Sequence, residues 1–343
     1  MREAFERIVG NRRLRERLCD DVQNGRVSHA YILEGPAGSG KHTFAYQLAA
    51  ALSCEHRHSL SHPLPCGTCP SCKKILGGHS TDVIVKNRGE KATFGVDVIR
   101  EIKQDVYVAP NESVAKVYVI EEADLMTVPA QNAFLLTLEE PPAYVLFLLL
   151  CESAEPLLET VRSRAPVLRT EPITTDDIDR YLARESTEAA TLRAQDPTEY
   201  TELLAAANGS IGRALTLLDA KERKPILTRR ALARTFLQLC TERKNSLAAV
   251  RFLNSMSPKR EELCRQLSTL LICLRDLLLC KQTESAPLCF FADREEAVSL
   301  AYEFTTPELL GLCDTVQDTL NRLYANANIN LTLTSLAVRA NLL

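Results

Sequence analysis

Two clusters in this chain have the residue types and spacing to do chemistry. The first is GPAGSGKHT, residues 35 to 43. Glycine, four residues, then Gly-Lys followed by Ser or Thr is the pattern of a loop that wraps phosphates. Gly35, Gly40 and Lys41 keep it, with Pro36, Ala37, Gly38 and Ser39 between them. Glycines let such a loop turn its backbone N–H groups inward, and a following helix adds partial positive charge at its N-terminus. Lys41 would reach the outer phosphates as a point charge. The eighth position, however, is His42. A hydroxyl there normally meets magnesium, a hard cation that prefers oxygen, whereas imidazole suits zinc, copper or iron. Thr43 carries a hydroxyl, but one step along a helix turns it by about 100°. The plain reading of His42 is a tolerated residue at the surface of the site. Phosphate binding is therefore expected, with ATP or ADP as the ligand, while magnesium use and hydrolysis are doubtful.

The second cluster is Cys54 followed, after eleven residues, by CGTCPSC (66–72). Cys54, Cys66, Cys69 and Cys72 make a natural tetrahedral Cys₄ zinc site, structural because four thiolates leave no open position. Two alternatives stand against it. An iron–sulfur cluster of the bacterial type wants a further cysteine three residues on, and none follows Lys73. Unligated thiols are the other. His56, His58, His62 and His79 read as loop residues and not as ligands.

These groups need elements to hold them. AYIL (30–33) is a short apolar run leading into the glycine-rich loop, and Phe44, Leu48, Ala51 and Leu52 then recur at helical spacing. Strand, loop and helix in that order are what a phosphate loop requires. A second strand, KVYVI (116–120), ends in Glu121 and Glu122, where a nucleotidase carries its acids for magnesium and water. Thr127 and Pro129 start a helix that Pro141-Pro142 stops, and VLFLLL (145–150) is a third strand. Strands alternating with helices predict a parallel α/β sheet covered on both faces. After Arg169 the signals are helical only, in TTDDIDRYLARE (174–185), ELLAAANGS (202–210), 260–280 and 306–324, with KERKP (221–225) reading as a boundary.

The whole chain sets limits on function. Its 343 residues suffice for two or three domains. A net charge of −3 gives no global attraction to nucleic acid or to an anionic membrane. The charged N-terminus lacks a signal-peptide core, and the apolar run at 144–151 is too short to span a bilayer. Twelve cysteines then point to a reducing, cytoplasmic setting without a disulfide framework.

Several stretches together resemble the clamp-loader ATPases of the AAA+ class, and within them the bacterial DNA polymerase III delta-prime family. They are FERIVGN (5–11), SHAYILEGPAGSGKHT (28–43), Cys54 with PCGTCPSC (65–72), and GVDVIREI (95–102). KVYVIEEADLMTVPAQNAFLLTLEEPP (116–142), TVRSRA (160–165), GSIGRAL (209–215) and NANINLTLTSL (326–336) complete the set. The gamma/tau subunits are the nearest competitor. The resemblance implies an AAA+ domain over 1–169 with an inserted zinc module (54–72), a helical lid over 170–222 and a helical collar over 223–343. It implies a heteropentameric ring with gamma/tau-type and delta-type subunits that loads a sliding clamp onto primed DNA. Arg164 would be the arginine that reaches a neighbour's nucleotide, with Ala165 where the family has cysteine. Arg213 would be the lid's sensor, Val9 and Gly10 would lie by the adenine, and the first sensor falls on Cys151, Glu152 or Ser153. Three functions follow as expectations: a subunit that supplies Arg164 in trans and hydrolyses little, an active ATPase motor, or a zinc-dependent nucleic-acid binder. His42 and the sensor positions favour the first.

Overall fold

The structure, a computed structural model, describes residues 5, 7–59, 61–242, 246–283 and 288–342; Glu6 of the FERIVGN stretch lies outside the described residues. Among the described residues five strands form one parallel sheet: β1 (Ala30–Glu34), β2 (Val83–Lys86), β3 (Lys116–Ile120), β4 (Val145–Cys151) and β5 (Val167–Arg169). Their order is β2-β3-β4-β1-β5. The register sets Ala30 beside Phe147 and Glu34 beside Cys151, so the glycine-rich loop leaves the sheet next to the end of β4.

Alternation along the strands divides the sheet between two cores. Tyr31, Leu33, Val117, Val119, Leu146, Leu148 and Leu150 share one of them with α1 (Arg12–Gln23), α2 (Lys41–Leu52) and α3 (Pro70–Leu76). Ala30, Ile32, Tyr118, Ile120, Phe147 and Leu149 share the other with α4 (Val96–Asp105), α5 (Val128–Glu139) and the short α6 (Glu159–Arg162). Burial on both faces is why β3 and β4 read as continuous apolar runs. Two strands lack that signal. VIVK (83–86) is only partly buried at the sheet edge, and VLR (167–169) is three residues long.

The remaining helices are α7 (Thr175–Glu185), α8 (Thr187–Gln195), α9 (Pro197–Ala206), α10 (Ile211–Leu218), α11 (Ala220–Glu242), α12 (Ser246–Ser255), α13 (Arg260–Gln282), α14 (Arg294–Tyr302), α15 (Thr306–Tyr324) and α16 (Ile329–Arg339). The chain divides into two compact units, Met1–Asp177 with Ser210–Gly212, and Ile178–Gly209 with Arg213–Leu343. In the second, Leu263, Leu267, Leu270, Leu274 and Leu277 of α13 share a core with Leu309, Val316, Leu320 and Leu323 of α15. That spacing of three and four residues is the apolar stripe of a packed helix. Asp276, fully buried there, accepts backbone N–H bonds from Cys289 (2.7 Å) and Phe290 (2.6 Å).

KERKP does not interrupt the secondary structure. It lies inside α11, which runs unbroken past Pro225. Arg223 anchors the stretch: its guanidinium donates to Glu199 (2.5 Å) and to the carbonyls of Leu217 (2.9 Å) and Leu218 (2.7 Å), which end α10. Proline forfeits one backbone bond in a helix, and these contacts hold the turn around it.

Candidate functional site: a phosphate loop and a cysteine cluster

β1 delivers the chain to the loop and α2 takes it away. Gly38 (φ 73°) and Gly40 (φ 87°) turn it through left-handed backbone that a side chain would strain. Gly35 is required for a different reason. A Cβ there would lie 1.9 Å from the Thr170 hydroxyl, which itself bonds Ser39 Oγ at 3.0 Å. Ser39 is thereby buried, its hydroxyl held by Thr170. Ser210 donates to the Gly38 carbonyl at 2.7 Å, so residues 210–212 brace the tip of the loop.

Lys41 folds back onto the loop, donating to the carbonyls of Gly35 (2.6 Å) and Pro36 (2.8 Å). Burial lowers its pKa, against the pull of Glu152, Cys151 and Asp124. No side chain caps α2 at Gly40. A polyphosphate at this helix start would meet Lys41 and the first-turn N–H groups together.

The acidic side differs from a magnesium site. His42 Nδ1 lies 3.5 Å from Glu121 Oε1, and Asn87 donates to the other Glu121 oxygen at 3.3 Å. Glu122 sits in left-handed backbone (φ 51°) and is gripped by Arg88 through two nitrogens, at 2.7 and 3.3 Å. Asp124, in the same acidic run, accepts the Glu152 N–H at 3.3 Å. Magnesium wants an array of oxygens. Here a nitrogen occupies the hydroxyl position, one glutamate faces that nitrogen, and the next is paired to a guanidinium. The residues present do not fit the metal.

Among the three sensor candidates, Cys151 closes β4 and its carbonyl accepts the Gly35 N–H at 3.2 Å. Burial, then the carboxylates of Asp124 and Glu34, push its thiol up to about 12. It is a packed neutral thiol against the loop. Glu34 is held below the usual carboxylate range by its bond from Arg169 (2.7 Å), and burial opposes this. Thr43 follows His42 in the first turn of α2 and is exposed.

Val9 and Gly10 lie just before α1, both half-buried. A Cβ at Gly10 would touch Ile173 at 3.6 Å. Arg213 is on α10, in the second unit. Arg164 follows α6 and is not among the residues gathered at the loop. It pairs with Glu139 at the end of α5 (2.5 Å) and donates to the Thr160 carbonyl at 2.9 Å. Its side chain keeps about a third of its surface in solvent, at 35%.

The four cysteines converge. The sulfurs of Cys54, Cys66, Cys69 and Cys72 all lie within 4.8 Å of one another, and all four residues are buried. Cys66 and Cys72 are 3.9 Å apart. A Zn–S length of about 2.3 Å implies a tetrahedral edge of about 3.8 Å. Backbone N–H groups of Cys69 and Cys72 point at the sulfurs of Cys66 and Cys69, each at 3.4 Å. Gly67 at φ 69° makes the tight turn between them. This cluster fits a structural metal, and its donor set fits zinc.

Sequence reasoning missed Asn87, Arg88 and Thr170, which tie the acidic run and the loop in place. Asn87 and Arg88 follow the edge strand β2, and Thr170 follows β5, the two strands without a periodic signal.

Residues 10–174 match the family model described as DNA polymerase III, delta subunit. The DNA polymerase III subunit tau of Bacillus subtilis is 30% identical over 294 residues, covering 81% of this chain and 50% of that protein. The tau subunit of Escherichia coli is 32% identical over 217 residues, covering 63% of this chain and 33% of that protein. The chain thus spans half the length, or less, of these two curated relatives. Among solved structures, a gamma subunit-related protein of Thermotoga maritima aligns with a TM-score of 0.42 at 18% identity, over 95% of this chain and 97% of that one. Over residues 10–174, therefore, the chain is similar to the family described as DNA polymerase III, delta subunit, and over longer stretches it is similar to tau subunits of DNA polymerase III.

Proposed function

We propose that this chain is a delta-prime-type subunit of a DNA polymerase III clamp loader, acting in replication to help place a sliding clamp on primed DNA. In this reading it sits in a heteropentameric ring with gamma/tau-type and delta-type subunits. Residues 170–222 are its lid and 223–343 its collar. The cysteines at 54, 66, 69 and 72 hold a structural zinc. Val9, Gly10, the 35–43 loop and Arg213 hold ATP or ADP with little hydrolysis, and Arg164 serves the neighbouring site.

The observation that carries this reading is the His42–Glu121 contact. Where a hydrolysing site needs two oxygen ligands for its metal, this chain sets an imidazole against a carboxylate. Arg164 can still act on another subunit, because its ion pair with Glu139 is part-exposed and such pairs are weak, about 1 kcal/mol or less. A guanidinium delivered to a neighbour's γ-phosphate contributes on the order of 10³-fold or more to turnover.

The relatives favour a second reading, an ATP-hydrolysing gamma/tau-type motor, since those matched by sequence carry that name. Paired substitutions separate the two. In a reconstituted loader, Arg164→Ala should leave the ring assembled and cut DNA-stimulated ATPase by about 10²-fold or more. Lys41→Ala should do far less. Equal losses, or a loss with Lys41→Ala alone, would make the chain a motor.

A further inference from the structure

Phe5 has left-handed backbone (φ 54°) and is fully buried. For a bulky residue that conformation is a true outlier, held only when its surroundings over-determine it. Two contacts do so. Its N–H donates to the Leu64 carbonyl at 2.7 Å, two residues before Cys66. Its ring belongs to the same core as Leu64 and all four clustered cysteines.

From Phe5 a continuous series of bonds leads to the phosphate loop. The Phe5 carbonyl accepts the Ile8 N–H at 2.9 Å, and the Ile8 carbonyl accepts Arg15 of α1 at 2.7 Å. Gly10 and Asn11 then take left-handed backbone. The Asn11 amide brackets Glu171, accepting its N–H at 2.7 Å and donating to its carbonyl at 3.3 Å. The preceding residue is Thr170, whose hydroxyl holds Ser39 and whose N–H bonds the Glu34 carbonyl at 2.9 Å. Every link lies within the first compact unit.

We propose that Phe5 is a positioning residue that couples the cysteine cluster to the phosphate loop, so that filling the cluster with metal tightens nucleotide binding at the loop. This rests on reading 35–43 and the Val9–Gly10 turn as a nucleotide site. The coupling runs from metal to Leu64, to Phe5, to the 8–11 turn, to Thr170. Emptying the cluster frees residues 64–72, and Phe5 then relaxes to an unstrained backbone. Once it does, Asn11 no longer fixes Glu171, and Thr170 loses its hold on the loop.

The test uses the full chain under reducing conditions, with zinc bound and after chelation. Amide hydrogen exchange is followed at Ile8 and Thr170, and ADP binding by calorimetry. Chelation should speed exchange at both amides and weaken ADP binding about five-fold or more. Phe5→Leu, with zinc retained, should move both readouts the same way by less. Ile102→Val, on the opposite face of the sheet, should lower stability without changing ADP affinity. Exchange at Ile8 and Thr170 unaffected by chelation, or Phe5→Leu indistinguishable from Ile102→Val, would overturn the coupling. So would faster exchange with ADP affinity unchanged. Absence of ADP binding in the wild-type, zinc-loaded chain would instead defeat the nucleotide reading, with the exchange data still deciding whether the cluster reaches the loop.

Discussion

At the residue scale the informative position is His42. An imidazole and a magnesium ion differ in what they do to a neighbouring carboxylate. A metal would share it with water and phosphate, while the imidazole nitrogen of His42 lies 3.5 Å from one of its oxygens. His42→Thr restores an oxygen at the helix start and releases Glu121. Magnesium should then strengthen ATP binding to the variant about ten-fold, and strengthen binding to the wild-type chain by less than about two-fold, measured by titration with and without a chelator. Wild-type turnover near 1 per second or above would refute this account of the position. The departure at 42 was legible in the sequence, because a motif fixes what each place should hold. Its partner was not. Glu121 meets His42 only through the parallel register of β1, β4 and β3, and Arg88 reaches Glu122 from a loop whose strand the periodicity never showed.

At the element scale the edge strand β2 explains much of what periodicity left out. Four residues, partly exposed, give no alternation to read. What fixes the strand is the residue before it. Asp82 is buried and accepts backbone N–H bonds from Asn111 (2.6 Å), Glu112 (2.9 Å) and Ser113 (2.7 Å). Burial works to raise its pKa, but these donors outweigh it and hold the carboxyl below the usual range. Asp82→Ala removes the acceptor for all three and should cost about 2–3 kcal/mol, read as a lower urea midpoint with unchanged slope. The pH dependence follows from the sign of the shift. A carboxyl with a folded pKa below its unfolded one contributes in full above about pH 4, and that contribution fades as pH falls through the folded value. The stability gap between wild type and Asp82→Ala should therefore close below about pH 4. A gap constant down to pH 2 would rule out the ionised cap. By contrast β3, β4, α5 and α15 were all legible, since their burial is periodic or continuous and their ends carry Thr or Pro signals.

At the scale of the whole molecule, the first compact unit holds the two cores that flank the sheet and the second holds its own, and the cysteine cluster belongs to the first. Metal affinity at such a cluster is folding free energy. Unsupplemented protein should carry one zinc per chain, and chelation should lower one calorimetric transition while leaving a second in place. Iron with visible absorbance, or no metal at all, would remove the zinc assignment. A single transition that shifts as a whole would show that the units unfold together.

β4 has one more consequence, and it concerns the chain before it folds. VLFLLLC is seven buried residues without a charge, the composition that stacks into intermolecular sheets when left unpaired. Its flanks are different: Glu139, Glu140, Pro141 and Pro142 precede it closely and Glu152 follows at once. Charges and prolines in those places discourage one unfolded chain from adding to another. Timing helps as well. The partners of β4 are β1 and β3, both nearer the N-terminus, so a nascent chain has already made the two edges this strand needs when it emerges. After heating or denaturant that order is lost, and every copy exposes the same sticky segment at once. Aggregation through residues 145–151 is then the competitor to refolding, and recovery from denaturation falls with protein concentration even though synthesis in order succeeds.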